Sequence, residues 1–360
     1  MIMQNERKLN KIMLGMSGGV DSSAAAIKLL EEGYNVAGVT MILKPEKYLS
    51  ESEKRNIYKE AEEARKVCDI LSIPHFTPDF SKEFSDAVIN DFITCYLEGR
   101  TPNPCVRCNI GLKFGKMLDF ALENGYEGIA TGHYAKLEYD YETGKTLLIK
   151  APSRKDQSYF LYGLSQFQLS HAVFPIWNME KADSRALTEK YNLPTYNKPD
   201  SQEICFIKDN DYINFLNNYA DKKLCEGNFI SEEGKILGRH GGIHRYTIGQ
   251  RKGLGVTFGE PMYVKKINAN DNTVTLSRLE GLFSESLYLR DVNLIALDNL
   301  DTPIEADVKI RYLAKPSPAI IEKYGEMVKV TFKEKQKSVT PGQAAVFYQG
   351  DKVLGGGTII

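Results

Sequence analysis

The chain has 360 residues, too many for one compact hydrophobic core, so two or three domains are expected. Its 46 Lys and Arg nearly balance 47 Asp and Glu, which excludes a global basic surface for a polyanion and leaves any such partner to a local patch. No apolar run is long enough to span a bilayer, the charged start MIMQNERKLNK lacks the apolar core of a secretory signal, and six cysteines are too few for a disulfide scaffold; a cytoplasmic protein with no membrane partner is expected.

In chain order, KIMLGM reads as a strand, a helix starts at about Asp21, VAGVTMIL is a second strand, and a charged helix crosses 52–71 before the short strand HFTPDF. A helix over 82–98 and IATGHYA as a further strand complete the series. This rhythm predicts βαβ units and a parallel sheet with helices on both faces. Ligands of such sheets sit at the carboxyl ends of the strands, where the SGG loop, Met41 and Thr131-Gly132-His133 would gather. YDYETGKTLLIK (139–150) reads as a hairpin, with helix-like sequence over 156–168 and 181–191. After about Ser201 the character changes: DNDYINFLNNYA is a short helix, GRHGGIHRYTIGQRKGLG (238–255) is rich in Gly and Arg, and from 261 short β-like runs such as MYVKKI, TVTLS, MVKVTF and AAVFYQ predict small barrels or sandwiches.

MLGMSGGVDSSAAA (13–26) sets small residues between the first strand and the first helix. Backbone N–H groups of such a turn point outward and the helix N-terminus favours negative charge, so it suits a phosphate. A Walker A loop is excluded, because Val20, Asp21, Ser22 and Ser23 follow the glycines where that motif needs Lys, and the G-x-G-x-x-G spacing is absent. What remains is SGGVDS: two hydroxyls, two glycines for close approach, and Asp21 to bind Mg²⁺ or position a phosphate-bound water. A bare SGG would be only a Ser- or Asp-capped helix after a glycine turn. The full strand, loop and helix resembles the PP-loop of ATP pyrophosphatases, which cleave ATP to AMP and pyrophosphate and activate an oxygen for replacement. The resemblance implies that Gly15, Met16, Ser17, Gly18, Gly19, Val20, Asp21 and Ser22 bind the pyrophosphate end of ATP, with Met41 and Gly132 on its adenosine part.

TPNPCVRCN (101–109) carries Cys105 and Cys108 as C-x-x-C, in an exposed loop ahead of a helix expected to start near Ile110. A helix N-terminus lowers a nearby thiol toward the thiolate, the reactive and metal-binding form. A zinc site would need two more ligands, and no second C-x-x-C exists. Cys205, in KPDSQEICFI, also follows Pro and polar turn residues. Cys68 and Cys95 fall in helix-like periodicity, where a small buried hydrophobe is expected, and are set aside with Cys225.

Together SGGVDSS, GRTPNPCVRCN, TGHYA, KDQSYFL, DSQEICFI and HRYTIGQRKGLG resemble, in order and across essentially the whole chain, the MnmA-type tRNA 2-thiouridylases. That resemblance implies a PP-loop α/β domain with a parallel sheet, of the adenine nucleotide α-hydrolase-like kind (1–207), a small tRNA-contacting central domain (208–282) and a C-terminal β-barrel (283–360). It implies replacement of O2 of the wobble uridine of tRNA by sulfur: ATP with Mg²⁺ adenylates O2, and a persulfide sulfur on Cys205 reaches C2 with Cys108 assisting. A uracil oxygen is a poor leaving group and AMP a good one, so the chemistry is coherent. Many relatives have Asp at the position of Cys105. With Cys105, Cys108 and Cys205 all present, a [4Fe–4S] cluster held by three thiolates is an alternative carrier of the sulfur.

The base must be extruded and the anticodon stem held by its phosphates. The resemblance implies Asn103, Pro104 and Cys105 at the target base, His133 beside it, and Lys155, Asp156, Gln157, Arg311, Tyr312 and Gln343 on the tRNA. Arg239, Arg245, Arg251 and Lys252 make the densest local basic patch. The family implies Lys, Glu and Gln acceptor tRNAs, and a cysteine desulfurase or sulfur-relay protein as donor. The rival enzyme is a PP-loop ligase acting on a small molecule, which would need neither the paired cysteines nor the extra β domains.

Overall fold

The apolar run Ile12, Met13, Leu14 is fully buried as the middle of β1 (Lys11–Gly15), as a strand covered on both faces requires. The computed structural model describes residues 9–49, 58–198, 204–220, 224–256 and 259–360; the charged start 1–8, the first part of the 52–71 helix and most of KPDSQE lie outside them. Among the described residues, β1 is the centre of a five-stranded parallel sheet ordered β3 (His75–Phe76), β2 (Asn35–Val39), β1, β4 (Gly128–Ala130), β7 (Ala172–Val173). After β1 the chain winds outward through β2 and β3, then crosses to the other side of β1 for β4. The strand order therefore reverses between β1 and β4, and the loops leaving their carboxyl ends open a crevice there.

The parallel sheet expected from the sequence is present, but several elements differ. IATGHYA is two strands with a loop between: β4 ends at Ala130, Thr131 to Tyr134 turn away, and β5 (Ala135–Asp140) begins a hairpin with β6 (Lys145–Lys150). The stretch 156–168 is a 3-10 turn (Ser158–Leu161) followed by a short helix (Gln166–Ser170), because Asp156 ties its carboxylate into a local turn that competes with helix. The cysteine helix starts at Pro104, six residues earlier than expected, with Pro at the first turn, where its missing N–H costs nothing.

Residues 227–277 form a four-stranded sheet, β8 (Gly227–Ile230), β9 (Ile236–His240), β10 (Tyr263–Asn268) and β11 (Thr273–Ser277), around Phe229, Tyr246, Val264 and Val274. The C-terminal strands β12 (Phe283–Leu294), β13 (Ile304–Lys309), β14 (Ser317–Tyr324), β15 (Met327–Lys337), β16 (Ala344–Gln349) and β17 (Lys352–Ile359) close into a barrel through β12 pairing with β17. The β5–β6 hairpin of the first domain joins this barrel, Ile149 pairing with Lys352. One buried cluster runs through the joint, taking Phe114, Ile129, Tyr159 and Tyr162 from the first domain and Val346, Tyr348 and Val353 from the barrel. Burial of that shared apolar surface holds the barrel against the parallel sheet.

Candidate active site

The SGGVDS loop leaves β1 at Gly15 and enters the helix Val20–Glu31 at Gly19. Met16 is buried between the strands, its N–H donating to Val39 O at 2.8 Å and its carbonyl accepting from Thr40 Oγ1 at 2.7 Å. Gly18 takes φ +66°, the left-handed bend that lets the loop turn back over the helix end. No side chain caps this helix: Ser22 and Ser23 aim their hydroxyls backward at Gly19 O, at 3.2 and 2.8 Å. The capped-helix alternative is thereby excluded, and the first-turn N–H groups stand open to an anion at the sheet's crevice. Gly132 follows β4 and lies against the loop; a Cβ there would come within 3.0 Å of the Asp21 carbonyl carbon and 3.1 Å of Ser22 N. Met41, just past β2, packs on the core cluster at the same end of the sheet.

Two lysines reach the loop from far along the chain. Lys181 Nζ donates to Asp21 Oδ1 at 2.8 Å, and the Tyr134 hydroxyl donates to the same oxygen at 2.7 Å. Lys198 Nζ donates to Gly18 O at 2.7 Å and pairs with Glu63. Lys181 opens the helix Lys181–Lys190, which packs along the first helix. The loop and its immediate surroundings thus carry two carboxylates, Asp21 and Glu63, hydroxyls and two ammonium groups, a set suited to a magnesium-bound polyphosphate. Motif reading missed Tyr134, Lys181 and Lys198; Tyr134 and Lys198 do lie inside the quoted TGHYA and KPDSQE segments, while Lys181 carries no local signal.

Cys105 and Cys108 occupy the first turns of the helix Pro104–Cys108, which widens at once into a π-helical stretch, Asn109–Lys116. In a π-helical turn residues five apart come round to one side, so Lys113 returns toward Cys108. The Lys113 ammonium favours the thiolates of Cys105, Cys108 and Cys205 and disfavours protonation of His133. Cys205 reaches the group from another segment, its neighbours Phe206 and Ile207 sharing a buried cluster with Cys108. The expected lowering of the thiols is overturned: burial pushes Cys105 and Cys108 up, and Cys205 up to about 12 with further help from the other two sulfurs. Desolvation of an anion outweighs the helix end and the lysine. Cys105 and Cys205 nonetheless retain exposed surface, whereas Cys68 and Cys95 are core residues as expected and Cys225 is exposed rather than buried.

His133 is buried, its Nδ1 2.7 Å from Thr131 Oγ1 and its ring 6.0 Å from both Phe114 and Phe174. Burial and Lys113 hold its pKa well below the ordinary value, so the imidazole is neutral near pH 7. Of the other residues that the resemblance sets near RNA, several direct polar atoms inward. Asp156 accepts from Ala151 N at 3.0 Å, Ser158 N at 3.2 Å and Ser158 Oγ at 2.9 Å. Gln157 exchanges hydrogen bonds with the backbone of Tyr134 at 3.1 and 2.7 Å. Arg311 donates to Ser338 O and Thr340 Oγ1, Tyr312 packs on Phe160 at 4.6 Å, and Gln343 Nε2 donates to Thr101 O and Pro102 O at 3.2 and 3.0 Å. Lys155 sits on the turn closed by Ser153, its N–H donating to Ser153 Oγ at 3.2 Å. Asn103 lines a cavity of about 130 Å³ with Asp91, Arg100, Arg107 and Asp291, between the first domain and the barrel. In the middle region Arg239, Arg245 and Lys252 line a cleft of about 700 Å³ with Tyr212 and Gln250, and exposed Arg251 flanks Lys252.

A parallel sheet with an uncapped SGGVDS turn at its switch point defines a PP-loop nucleotide-binding domain, here joined by Cys105, Cys108 and Cys205 and by two β domains. Family models match along the chain: a tRNA methyl transferase HUP domain over 10–209, a tRNA methyl transferase PRC-barrel domain over 213–278 and an aminomethyltransferase beta-barrel domain over 284–359. The tRNA-specific 2-thiouridylase MnmA of Clostridioides difficile is 48% identical over 352 residues, 97% of this chain and 98% of its own. That of a Thermoanaerobacter species is 46% identical over 97% of this chain and 98% of its own, and that of Acetivibrio thermocellus 46% over 97% and 99%. The chain belongs to the MnmA family of tRNA-specific 2-thiouridylases.

Proposed function

We propose that this chain is an ATP-dependent tRNA 2-thiouridylase acting on the wobble uridine. The observation that carries the reading is the convergence of two chemistries at one sheet edge. An ATP loop touches Gly132, and the next residue, His133, shares Lys113 with three cysteines from two distant segments. A methyl transfer, as the family models' wording has it, would use neither the adenylating loop nor the thiols.

In this reading uridine O2 attacks the α-phosphate of ATP and pyrophosphate leaves from the loop, its charge met by Lys181, Lys198 and the open helix N–H groups. Asp21 would hold the magnesium ion that accompanies ATP. The terminal sulfur of a persulfide on Cys205 then attacks C2 and AMP departs, leaving the base joined to Cys205 through a disulfide. The Cys108 thiolate attacks the Cys205 sulfur, the S–S bond to the base breaks with its electron pair on the outgoing sulfur, and 2-thiouridine is released with a Cys108–Cys205 disulfide. Two external thiols, or one dithiol, reduce that disulfide to two cysteine thiols and are themselves oxidised to a disulfide, and a cysteine desulfurase or sulfur-relay protein reloads Cys205. Lys113 offsets part of the burial that otherwise keeps these sulfurs protonated. In the alternative with a [4Fe–4S] cluster, Cys105, Cys108 and Cys205 would hold it and it would supply the sulfur; among the described residues no three His, Cys, Asp or Glu side chains gather as a ready metal-holding group, and no step here runs through one.

Incubation with ATP, unmodified tRNA for Lys, Glu or Gln and a sulfur donor tests the reading. Pyrophosphate release is expected only with tRNA, and mass spectrometry of the digested tRNA should show 2-thiouridine. Release driven by a small molecule without tRNA would establish the ligase instead.

A further inference from the structure

The loop that leads into the cysteine helix is held from outside its own domain. Thr101 N–H donates to Pro341 O at 2.9 Å, and Gln343 Nε2 donates to Thr101 O at 3.2 Å and Pro102 O at 3.0 Å. Pro341, Gly342 and Gln343 belong to the turn between β15 and β16 of the barrel. That turn is itself fastened: Gly342 N–H donates to Ile359 O and Ile359 N–H to Gln343 O, both at 2.8 Å, while Arg311 grips Ser338 O and Thr340 Oγ1. Gly342 has φ +91°, and a Cβ on it would lie 2.5 Å from Thr101 O, so both the bend and the close approach require glycine. Beyond the grip, Pro102 and Pro104 lock their own φ angles and each restricts the residue before it. A shift of the 101–102 peptide therefore passes to Asn103, Pro104 and Cys105 with little freedom to absorb it.

We propose that Gln343 and Gly342 are positioning residues for the thiolation step: the barrel turn sets the placement of the loop that presents Asn103 and Cys105 to the target base. Gln343 acts through the loop, its amide nitrogen being committed to two carbonyls. The inference rests on the reading of the chain as a tRNA thiouridylase.

Full-length wild type, Gln343→Met and Gly342→Ala are compared for tRNA affinity by filter binding and for single-turnover thiolation at saturating tRNA and ATP, with cysteine and a desulfurase as sulfur source. Amide hydrogen exchange over 101–108 is followed in parallel, and thermal melting verifies that each variant is folded. Both variants should bind tRNA within about twofold of wild type, thiolate roughly 10- to 100-fold more slowly and exchange faster over 101–108. Gly342→Ala removes no group that could touch RNA, so loss of rate with retained affinity there isolates positioning. Tenfold weaker binding at an unchanged saturated rate in Gln343→Met, or a wild-type rate in folded Gly342→Ala, would overturn the proposal. If wild type itself makes no 2-thiouridine, the functional reading fails separately, and unchanged exchange over 101–108 would still overturn the clamp.

Discussion

Asp21 and Lys181, 160 residues apart in the chain, meet at 2.8 Å at the mouth of the SGGVDS loop. The pair explains how a loop without a Walker lysine acquires a cation. In the structure the ammonium neutralises the carboxylate; under the proposed reading Asp21 would hold the magnesium ion that accompanies ATP and Lys181 would be released to the phosphates. Lys181→Met should lower tRNA-dependent pyrophosphate release by roughly 10²-fold, and Asp21→Ala should abolish it. A Lys181→Met enzyme with wild-type release would reduce the pair to a structural tie.

Gly132 tests the same loop from its other side. Because an added Cβ would press on the Asp21 and Ser22 backbone, Gly132→Ala should displace the loop and raise the KM for ATP about tenfold with little change in tRNA affinity. Steady-state pyrophosphate release at varied ATP measures it.

The common influence of Lys113 on the cysteines has a direct readout. A cation favours the thiolate, so Lys113→Met should move the pH profile of alkylation at Cys105, Cys108 and Cys205 to higher pH and slow alkylation at fixed pH. Iodoacetamide rates by mass spectrometry follow each site; Cys68, which burial pushes up to about 12 and which packs on Gly38, should stay unreactive in both proteins.

Cys205 and Cys68 separate by function. Cys205→Ser should eliminate a detectable enzyme persulfide and thiolation without loss of fold. Cys68→Ser buries a hydroxyl in an apolar site and should cost about 1–3 kcal/mol in urea denaturation while thiolation continues. A persulfide that survives Cys205→Ser would place the carrier elsewhere.

His240 and His244, an H-x3-H pair in the middle region, have buried ring nitrogens with no partner among the described residues, His240 Nε2 and both nitrogens of His244. Burial pushes His244 down to about 4. Between about 4 and its ordinary 6.5 the unfolded chain binds a proton that the folded one refuses, so stability should fall as pH drops through that window. His240 and His133 are shifted in the same direction. Thermal melting from pH 7 to 4 should show the decline, and His244→Phe should flatten its slope.

Local features were legible wherever neighbours in sequence are also neighbours in space. The SGGVDS turn, the strand before it and the helix after it occupy consecutive residues, and so do the 139–150 hairpin and the short C-terminal strands. The start of the cysteine helix was placed late because Pro and Asn read as loop residues, although Pro is at home in a first helical turn. IATGHYA looked like one strand because its apolar residues run together, yet Gly132 has to bend there to meet the ATP loop. The thiol acidities were misjudged for the same kind of reason: a helix end is visible in sequence, and the protein that surrounds a sulfur is not.

By itself the sequence determined the groups on offer: a PP-loop turn, the C-x-x-C pair with Cys205 and a parallel sheet to present them, because these are set by residue type and short-range geometry. Only the tertiary structure decided which groups come together. Lys181 and Lys198 reach the SGGVDS loop, Lys113 acts on the sulfurs, and a barrel turn grips the loop before the cysteine helix across more than two hundred residues. Charge and hydrogen bonding act over a few ångströms of space regardless of chain separation, and no periodicity or motif spacing records where distant segments meet.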